Sequence, residues 1–507
     1  MNYRMIFNTL GKIAIVLAIF LVIPTVFALA LGENSWWAIA ITVGISLSIG
    51  LVLMLCIKPK DKVIYAKEGL IIVALSWIYV SAIGALPYVI TPTPARLSYI
   101  DAFFEMCSGF STTGATILEG SRIDALYQTD KALLLWRSFT HWIGGMGVVV
   151  FLMAIETGAA DRGMHILRAE MPGPTVDKIV PRARNTAKIL YLLYVGFTVA
   201  EIVALIIAGS VADGLPIGES IYDAVVHAFG TAGTGGFSVR GSSIGYYGAA
   251  YQWIITAFMI LFGINFNLFY LMLLRKFKQA FSSRELWIYL GIILVATTAI
   301  AINIATAVTE LDFAGNAHDV IRHSLFQVAA FISTTGYSSL PNNTVTQFPL
   351  LSMGVLFLLM FIGGCAGSTG GGLKVSRVVL LGKSVKKELR KVLHPRSANA
   401  VKFEGKIVAD ETLHSVTSYF GLYMLILAAT FVLISFDKGV PISDFETNVT
   451  AAVSCVNNIG PAYGVAVSGY YMYNWFSKLI MSFAMLIGRL EIYPILLVFV
   501  PTTWIKR

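Results

Sequence analysis

The chain has 507 residues, a net charge of +9, 57 % hydrophobic residues and only 13 % charged residues. Length alone would allow roughly three or four soluble domains, but the charged share is about half that of soluble globular proteins. A soluble protein cannot bury so much apolar surface, so the composition predicts an all-α polytopic membrane protein. It excludes a disordered chain, a coiled coil and a disulfide-rich secreted scaffold.

Ten apolar segments are candidates to cross the bilayer core, which requires a helix of about 20 residues. They lie at 13–31, 36–56, 69–90, 133–155, 189–209, 252–274, 286–308, 348–373, 416–436 and 475–500. The first follows Arg4 and Lys12 and resembles a signal peptide, but it is long for one and a second apolar segment follows closely. We therefore expect residues 1–62 to form a retained transmembrane hairpin.

Charge is distributed unequally between the two sides of the predicted spans. With the N-terminus in the cytoplasm, most of the 37 Lys and Arg residues fall on the inner side, as the positive-inside rule requires. The positive charge is therefore a topology signal, and we expect cytoplasmic termini and no nucleic-acid partner. Acidic residues gather in the outer segments. There they either concentrate cations or, as for Asp101, Asp223 and Asp444, cap helices.

Four segments between the spans are too short and too polar to cross the bilayer. Each begins with a polar residue, continues with a helical pattern and carries a glycine 13 residues after its start. The starting residues are Asp101, Asp223, His323 and Thr447, and the aligned glycines are Gly114, Gly236, Gly336 and Gly460. The three residues before each glycine are Ser111, Thr112 and Thr113; Gly233, Thr234 and Gly235; Ser333, Thr334 and Thr335; and Asn457, Asn458 and Ile459. Four aligned copies indicate an internal repeat.

The repeated segment is typical of a re-entrant structure, a half-membrane helix followed by extended backbone, which is tolerated where it lines a water-filled path. Backbone carbonyl oxygens can replace the hydration shell of a monovalent cation, and glycine permits φ > 0 without a side chain in the lumen. A single glycine would be a helix C-cap, but four copies favour a pore. We expect the hydroxyls of Thr112, Thr234 and Thr334 to add ligands. The expected backbone ligands are Thr112, Thr113, Thr234, Gly235, Thr334, Thr335, Asn458 and Ile459.

Two further features interrupt the apolar segments. The span 348–373 contains Gly363, Gly364, Gly367, Gly370, Gly371 and Gly372, and each glycine costs a helix about 1 kcal/mol relative to alanine. A small-residue helix interface is the alternative, but packing requires fewer glycines. Arg489 lies inside the last span, where an unpaired charge is costly, so it either pairs with Glu491 or Glu201 or faces the pore. Arg137 is nearer a membrane edge, where we expect it to snorkel.

The four glycine segments, the glycine-rich break, the membrane arginine and the hairpin together resemble the bacterial TrkH/TrkG potassium-uptake family, within the superfamily that includes KtrB. The resemblance covers essentially the whole chain. It implies four helix–pore-loop–helix repeats around a pseudo-fourfold pore, in addition to the N-terminal hairpin. The repeats would occupy 63–160, 161–280, 281–400 and 401–507. It also implies that K⁺ is the transported ion and that the protein lies in the bacterial inner membrane.

The same resemblance assigns roles to individual residues. It implies that the four aligned glycines are the selectivity glycines and that residues 363–373 form an intramembrane gate beneath the filter, with Arg489 facing the pore. We therefore expect either deletion of 363–373 or the change Arg489→Ala to raise ion flux. The fourth filter departs from the others at Asn457, Asn458 and Ile459, so we expect an asymmetric ligand set. The filters have one glycine per repeat and lack the Thr-Val-Gly-Tyr-Gly of tetrameric potassium channels, so we expect only moderate discrimination against Rb⁺ and Na⁺.

The resemblance further implies a homodimer and a cytosolic nucleotide-binding regulatory subunit of the TrkA type. The basic segments 158–188 and 374–406 are docking candidates, although the positive-inside rule alone also accounts for their charge. The chain itself is expected to bind no nucleotide, because Gly382-Lys383-Ser384 lacks the first glycine of a phosphate-binding loop.

Two alternatives differ in function class. One is a Na⁺- or H⁺-coupled symporter like KtrB. The other is a membrane-embedded enzyme, for which the sequence contains no recognisable catalytic constellation. His227 and His323 are expected to pack or cap the pore helices rather than to bind a metal.

Overall fold

The computed structural model describes residues 1–59, 66–92, 94–147, 183–307, 315–340, 347–395, 400–437, 444–490 and 492–504. Helices form nearly all of the regular structure in these ranges. Within them, the strands are a short antiparallel pair, β1 (Lys402–Phe403) and β2 (Lys406–Ile407). The predicted all-α membrane architecture is confirmed.

The chain begins with two long antiparallel helices, α1 (Tyr3–Leu31) and α2 (Trp36–Cys56). They approach closely at Gly50, where a Cβ atom would lie 2.7 Å from Cγ1 of Ile15 and 2.9 Å from the carbonyl oxygen of Gly11. Ser46 Oγ donates a hydrogen bond of 2.8 Å to the carbonyl oxygen of Ala14. Small residues that let two backbones approach, with a polar side chain bonded across the contact, are typical of helix packing in membranes.

Four helical units follow, each built around a buried re-entrant helix. The first contains α3 (Ala66–Gly84), α4 (Leu86–Ile90), the re-entrant helix α5 (Tyr99–Phe110), α6 (Gly120–Thr129) and α7 (Lys131–Met146). The second contains α8 (Ala183–Ile207), the re-entrant helix α9 (Ile217–Gly233), α10 (Ala249–Phe262), α11 (Phe266–Leu273) and α12 (Phe277–Phe281). The third contains α13 (Arg284–Thr306), the re-entrant helix α14 (Ala317–Ile332), α15 (Leu350–Leu359) and α16 (Val375–Leu393). The fourth contains α17 (Asp410–Ile434), the re-entrant helix α18 (Phe445–Asn457), α19 (Trp475–Arg489), α20 (Tyr493–Phe499) and α21 (Pro501–Trp504).

Two predicted spans are interrupted rather than continuous. The segment 252–274 is the pair α10 and α11, which meet at an angle of 91°. The loop after α15 fills this break, because Cys365 N donates to the carbonyl oxygen of Gly263 (2.8 Å) and Phe266 N donates to that of Gly367 (3.1 Å). These bonds satisfy backbone groups that the bend would otherwise leave unpaired inside the membrane. The predicted span 348–373 is helical only as far as Leu359.

Burial separates the lipid-facing helices from the central ones. In the described ranges, six helices are long and apolar enough to cross a membrane by themselves. They expose large apolar side chains such as Leu192, Leu294 and Leu425, at 71 %, 68 % and 68 %. By contrast, every residue of α5 from Ala102 to Phe110 is buried. The re-entrant helices are therefore surrounded by lipid-facing helices.

The N-terminal hairpin is fixed to the first unit through one acidic side chain. Glu33, in the loop between α1 and α2, accepts hydrogen bonds from the backbone N–H groups of Lys131 (2.8 Å) and Ala132 (2.9 Å) at the start of α7. Burial raises the pKa of this carboxyl, and the two backbone donors oppose that effect. The contact acts as a helix N-cap supplied from another part of the chain.

Replacing Glu33 by alanine should lower the free energy of unfolding by about 1 kcal/mol, the usual cost of losing an N-cap. Thermal unfolding of the protein in detergent measures this loss. Glu119→Ala is the matched control, because Glu119 is an exposed carboxylate at the start of α6 whose side chain makes no capping bond. Equal melting temperatures for the two variants would contradict the role given to Glu33.

Candidate functional site

The four re-entrant helices end in the same way. In each, the backbone N–H of the residue before the aligned glycine donates to the carbonyl oxygen five residues earlier. The bonds are Thr113 to Ser108, Gly235 to Gly230 and Thr335 to Ala330, each 2.9 Å, and Ile459 to Ser454, 3.1 Å. The residue one position earlier has a left-handed backbone in all four, with φ of +58° at Thr112, +56° at Thr234, +59° at Thr334 and +55° at Asn458. The aligned glycines lie two residues beyond this left-handed position at the helix end, so helix capping does not account for them.

The aligned glycines form a closed ring. A Cβ atom on Gly114 would overlap the carbonyl oxygen of Gly235, one on Gly236 that of Thr335, and one on Gly336 that of Ile459. A Cβ on Gly460 would lie 2.6 Å from the carbonyl oxygen of Thr113, which returns to the first unit. All four glycines also line one outer cleft. The structure therefore brings the four predicted filter segments together around a common axis.

Differences among the four predicted filter segments, called filters below, reflect what packs behind them. Ser111 and Thr113 in the first unit, and their counterparts Ser333 and Thr335 in the third, are joined by the same 2.7 Å side-chain hydrogen bond. In the second unit the imidazole of His141 occupies this volume, so a Cβ on Gly235 would overlap the ring. The glycines at 233 and 235 thus compensate for a bulky neighbour, a reason that sequence alone does not reveal.

The fourth filter is held by amide side chains instead. Asn457 Nδ2 donates to the hydroxyl of Tyr423 (2.8 Å), and Asn458 Nδ2 donates to Thr113 Oγ1 (2.9 Å) and to the carbonyl oxygen of Met485 (2.8 Å). The amides therefore replace the hydroxyl pairs of the first and third units. This arrangement keeps the left-handed cap while making the ring chemically asymmetric.

The threonine side chains expected to act as ligands divide into two groups. Thr234 Oγ1 lies 3.0 Å from the carbonyl oxygen of Thr369, and Thr334 Oγ1 accepts a 2.7 Å hydrogen bond from Gly371 N. Both hydroxyls therefore contact the glycine-rich loop, residues 360–374. Thr112 Oγ1 and Asn458 Oδ1, in contrast, are buried without a hydrogen-bond partner among the described residues. Buried polar atoms are normally paired, and two such oxygens fit the inner edge of a cation site.

The glycine-rich loop, residues 360–374, lies directly against the inner ends of the second, third and fourth filters. A Cβ on Gly371 would lie 2.6 Å from the carbonyl oxygen of Asn457, which explains why this position has no side chain. Gly363 N donates to the carbonyl oxygen of Leu373 (2.7 Å), so the loop closes on itself. The buried ammonium of Lys374 donates to the carbonyl oxygen of Gly370.

A carboxylate from the third unit fixes the two sides of this loop. Glu285 Oε1 accepts from Ala366 N (2.8 Å) and from Ser376 N (3.1 Å). The loop is thereby anchored at its flanks, while the segment 369–371 contacts the filter. The glycines 363, 364, 367, 370, 371 and 372 all lie in this loop.

Arg489 connects the loop to the first unit. Its guanidinium, 5 % exposed, donates to the carbonyl oxygen of Thr369 (2.6 Å) and to those of Gly144 and Gly145 (both 2.8 Å). Glu201 is buried elsewhere, with neither carboxylate oxygen hydrogen-bonded within the described ranges, so the suggested pairing with Glu201 is wrong. Glu491 lies outside the described residues. Arg489 therefore holds the loop beneath the filter.

The outer acidic residues mostly serve structural roles. Asp101 is bound to Lys478 (2.6 Å), while Ser98 caps the helix. Asp223 lies within α9 and pairs with Arg240 (3.4 Å). Capping was therefore the wrong expectation for both, whereas Asp444 does cap its helix by accepting from Thr447 N. Two of these three carboxylates are therefore paired with a cation, and the third caps a helix.

The expectation that Arg137 snorkels to the membrane edge is wrong. Its side chain is 2 % exposed and pairs with the fully buried Glu105 at 2.5 Å. His227 Nε2 lies 3.0 Å from Ser238 Oγ, and His323 Nδ1 lies 2.8 Å from Ser339 Oγ. Both histidines therefore brace the backbone that leaves a filter. The signal that sequence reasoning missed is the charge of Glu105, which lies nine residues before its aligned glycine, where the other repeats have His227, Gln327 and Ala451.

The structure describes most of the basic segment 374–406 and only the end of the basic segment 158–188. In the segment 374–406, α16 exposes Val385, Leu389 and Val392 at 60 %, 60 % and 78 %, and its lysines and arginines lie on the same helix. Residues 158–182 of the other segment lie outside the described ranges. The surface next to the glycine-rich loop is therefore amphipathic and basic.

Four helix–re-entrant-loop–helix units closed around one axis, with an arginine-held loop below, define a pore-loop membrane transport protein. The family model TrkH, described as a cation transport protein, matches residues 37–505. The chain belongs to this family.

Similar proteins cover the whole chain. The Trk system potassium uptake protein TrkH of Salmonella typhimurium is 34 % identical, over 99 % of this chain and 100 % of that protein. TrkG of Escherichia coli K12 is 32 % identical, over 99 % of each. The crystal structure of the potassium transporter TrkH from Vibrio parahaemolyticus matches with a TM-score of 0.85 at 27 % identity and covers 100 % of both chains.

Proposed function

We propose that this chain takes up K⁺ across the bacterial inner membrane through the ring formed by the filters 111–114, 233–236, 333–336 and 457–460. The observation that carries the proposal is the closed ring of glycines, in which each glycine faces a carbonyl oxygen of the next repeat. Backbone oxygens from four sides can replace the hydration shell of K⁺. The eight backbone ligands are those expected from the sequence, and Thr112 Oγ1 and Asn458 Oδ1 add to them from below.

In this proposal, residues 363–373 are the gate, and Arg489 holds it closed through its hydrogen bond to Thr369. The loop contacts the inner ends of three filters through Thr234, Thr334 and Asn457, so an ion leaving the ring toward the cytoplasm meets it first. A TrkA-like nucleotide-binding subunit would act on the loop through the basic segments 158–188 and 374–406. The chain would work as a homodimer with both termini in the cytoplasm, and K⁺ would be its cargo.

The proposed domain boundaries follow the same repeats. They are a hairpin at 1–62 and pore repeats at 63–160, 161–280, 281–400 and 401–507. Each helix pair with its re-entrant helix falls within one of these ranges. Coupling of transport to Na⁺ or H⁺, as in a KtrB-like symporter, is the second candidate.

Growth of a K⁺-uptake-deficient bacterium on limiting K⁺ tests the proposal, with the cognate cytosolic partner supplied. We expect the chain to restore growth, and purified protein in liposomes to carry K⁺ down its gradient. The same liposomes, assayed with and without a pH or Na⁺ gradient, distinguish passive flux from coupled transport. A protein that reaches the membrane but gives neither growth nor K⁺ flux would contradict the proposed function.

A further inference from the structure

A buried ion pair lies behind the first filter. Arg137 Nε on α7 is 2.5 Å from Glu105 Oε1 on the re-entrant helix α5, and the side chains are 2 % and 0 % exposed. Glu105 also accepts from Thr116 Oγ1 (2.9 Å) and from Ile117 N (2.7 Å). These two residues belong to the backbone that leaves the first filter, so Glu105 holds that strand.

Arg137 extends the contact to the neighbouring repeat. Its Nη1 donates a 3.0 Å hydrogen bond to the carbonyl oxygen of Ser238, and its guanidinium lies 3.6 Å from the ring centre of Phe237. Both residues directly follow the second filter glycine, Gly236. A continuous chain of bonds therefore runs from the first filter through Glu105 and Arg137 to the second.

The other repeats have weaker braces at the same position. The residue nine places before the filter glycine is Glu105 in the first repeat, followed by His227, Gln327 and Ala451 in the others. His227 and Gln327 contact hydroxyls of their own repeat, Ser238 Oγ at 3.0 Å and Ser339 Oγ at 3.4 Å. Ala451 has no polar side chain. In this column only the first repeat carries a charge, and its arginine partner reaches the adjacent filter.

We propose that Glu105 and Arg137 are positioning residues that set the spacing between the first and second filter strands and thereby the discrimination between K⁺ and Na⁺. The inference rests on the proposed function, because it requires these strands to coordinate K⁺. Discrimination between the two ions depends on the size of the oxygen cage or on the number and field strength of its carbonyls. Bonds made by ionised groups are about twice as strong as neutral ones, and the planar guanidinium fork offers two partners a fixed geometry.

The test is the K⁺/Na⁺ permeability ratio of protein reconstituted in liposomes. We expect Glu105→Gln, Arg137→Lys and the double variant Glu105→Gln/Arg137→Gln each to lower this ratio about 10-fold. Because all three variants break the same linkage between the two strands, the double variant should lower the permeability ratio no further than the single variants do. Arg137→Lys keeps the positive charge beside Glu105 but loses the planar guanidinium geometry. The double variant leaves no unpaired buried charge. At least one of these two proteins should therefore remain folded.

Asp319→Asn is the matched control, since it removes the ion pair with Arg322 (2.9 Å) from the re-entrant helix α14 without a bond to a filter strand. Its ratio should equal that of the unmodified protein. An unchanged ratio in the folded double variant would overturn the positioning role while leaving the proposed function intact. An unmodified protein that carries no K⁺ would overturn both.

Discussion

Gly114→Ala should abolish selective K⁺ flux, with a fall of about 100-fold or more. The added Cβ would overlap the carbonyl oxygen of Gly235, a backbone atom that cannot rotate away as a flexible side chain can. The left-handed φ of +81° at Gly114 is also strained for alanine. To relieve this overlap, one of the two adjacent filter strands must move by up to about 1 Å. In sites that depend on fixed geometry, misplacement of about 1 Å can cost on the order of 100-fold.

The four glycines should not respond equally. Gly236→Ala and Gly336→Ala create the same kind of overlap, whereas the Cβ of Gly460→Ala would lie 2.6 Å from the carbonyl oxygen of Thr113. A smaller displacement relieves the latter contact. We therefore expect Gly460→Ala to retain more K⁺ flux and a higher K⁺/Na⁺ ratio than the other three variants.

Gly32→Ala separates backbone strain from overlap in the filter. Gly32 has φ of +68° and no atom within 4 Å of the position its Cβ would take, and it caps α1 of the N-terminal hairpin, outside the four repeats. Its variant should lose some stability and keep wild-type flux in the same liposome assay. A monodisperse Gly114→Ala protein with unchanged flux and selectivity would remove the filter role from these residues.

The repeat was predictable because its spacing is a property of the sequence. Four glycines 13 residues after a polar start identify four equivalent turns, and the structure joins them in a ring through Gly114, Gly236, Gly336 and Gly460. The left-handed residues at the helix ends were not predictable in the same way. Glycine is the usual left-handed residue there, so threonine and asparagine in this conformation break the local rule at the candidate site, where backbone strain tends to gather.

The unpredicted features share one physical origin, contact between residues distant in sequence. The bend at 263–265 depends on the loop that donates to Gly263 and accepts from Phe266. The burial of Arg137 depends on Glu105, 32 residues earlier, and the glycine at 235 depends on His141. A hydropathy profile averages over the residues of a span. It therefore predicted that these helices cross the membrane, but it could not predict where a span bends or which charged side chains are buried.

Arg489→Ala should raise K⁺ flux about 10-fold or more in the absence of any activating partner. The guanidinium donates hydrogen bonds to Thr369 of the glycine-rich loop and to Gly144 and Gly145 of the first unit. Bonds to a charged group contribute about 1.5–3 kcal/mol each, so losing the bond to Thr369 alone favours release of the loop by about 10-fold or more. Removing a positive charge from the inner mouth of a cation pathway also lowers the barrier to entry. Both effects act in the same direction.

Flux in liposomes and the melting temperature in detergent together test this expectation. Arg489→Lys keeps the charge but cannot bridge Thr369 and the two glycines at once, so its flux should lie between those of the alanine variant and the unmodified protein. Arg284→Ala, which removes an exposed charge at the start of α13, should leave flux unchanged. Deletion of residues 363–373 should give at least the increase seen with Arg489→Ala, because it removes the obstruction that the arginine holds. Slower flux in a folded Arg489→Ala protein would mean that the arginine keeps the pathway open, and that the loop beneath the filter supports conduction instead of blocking it.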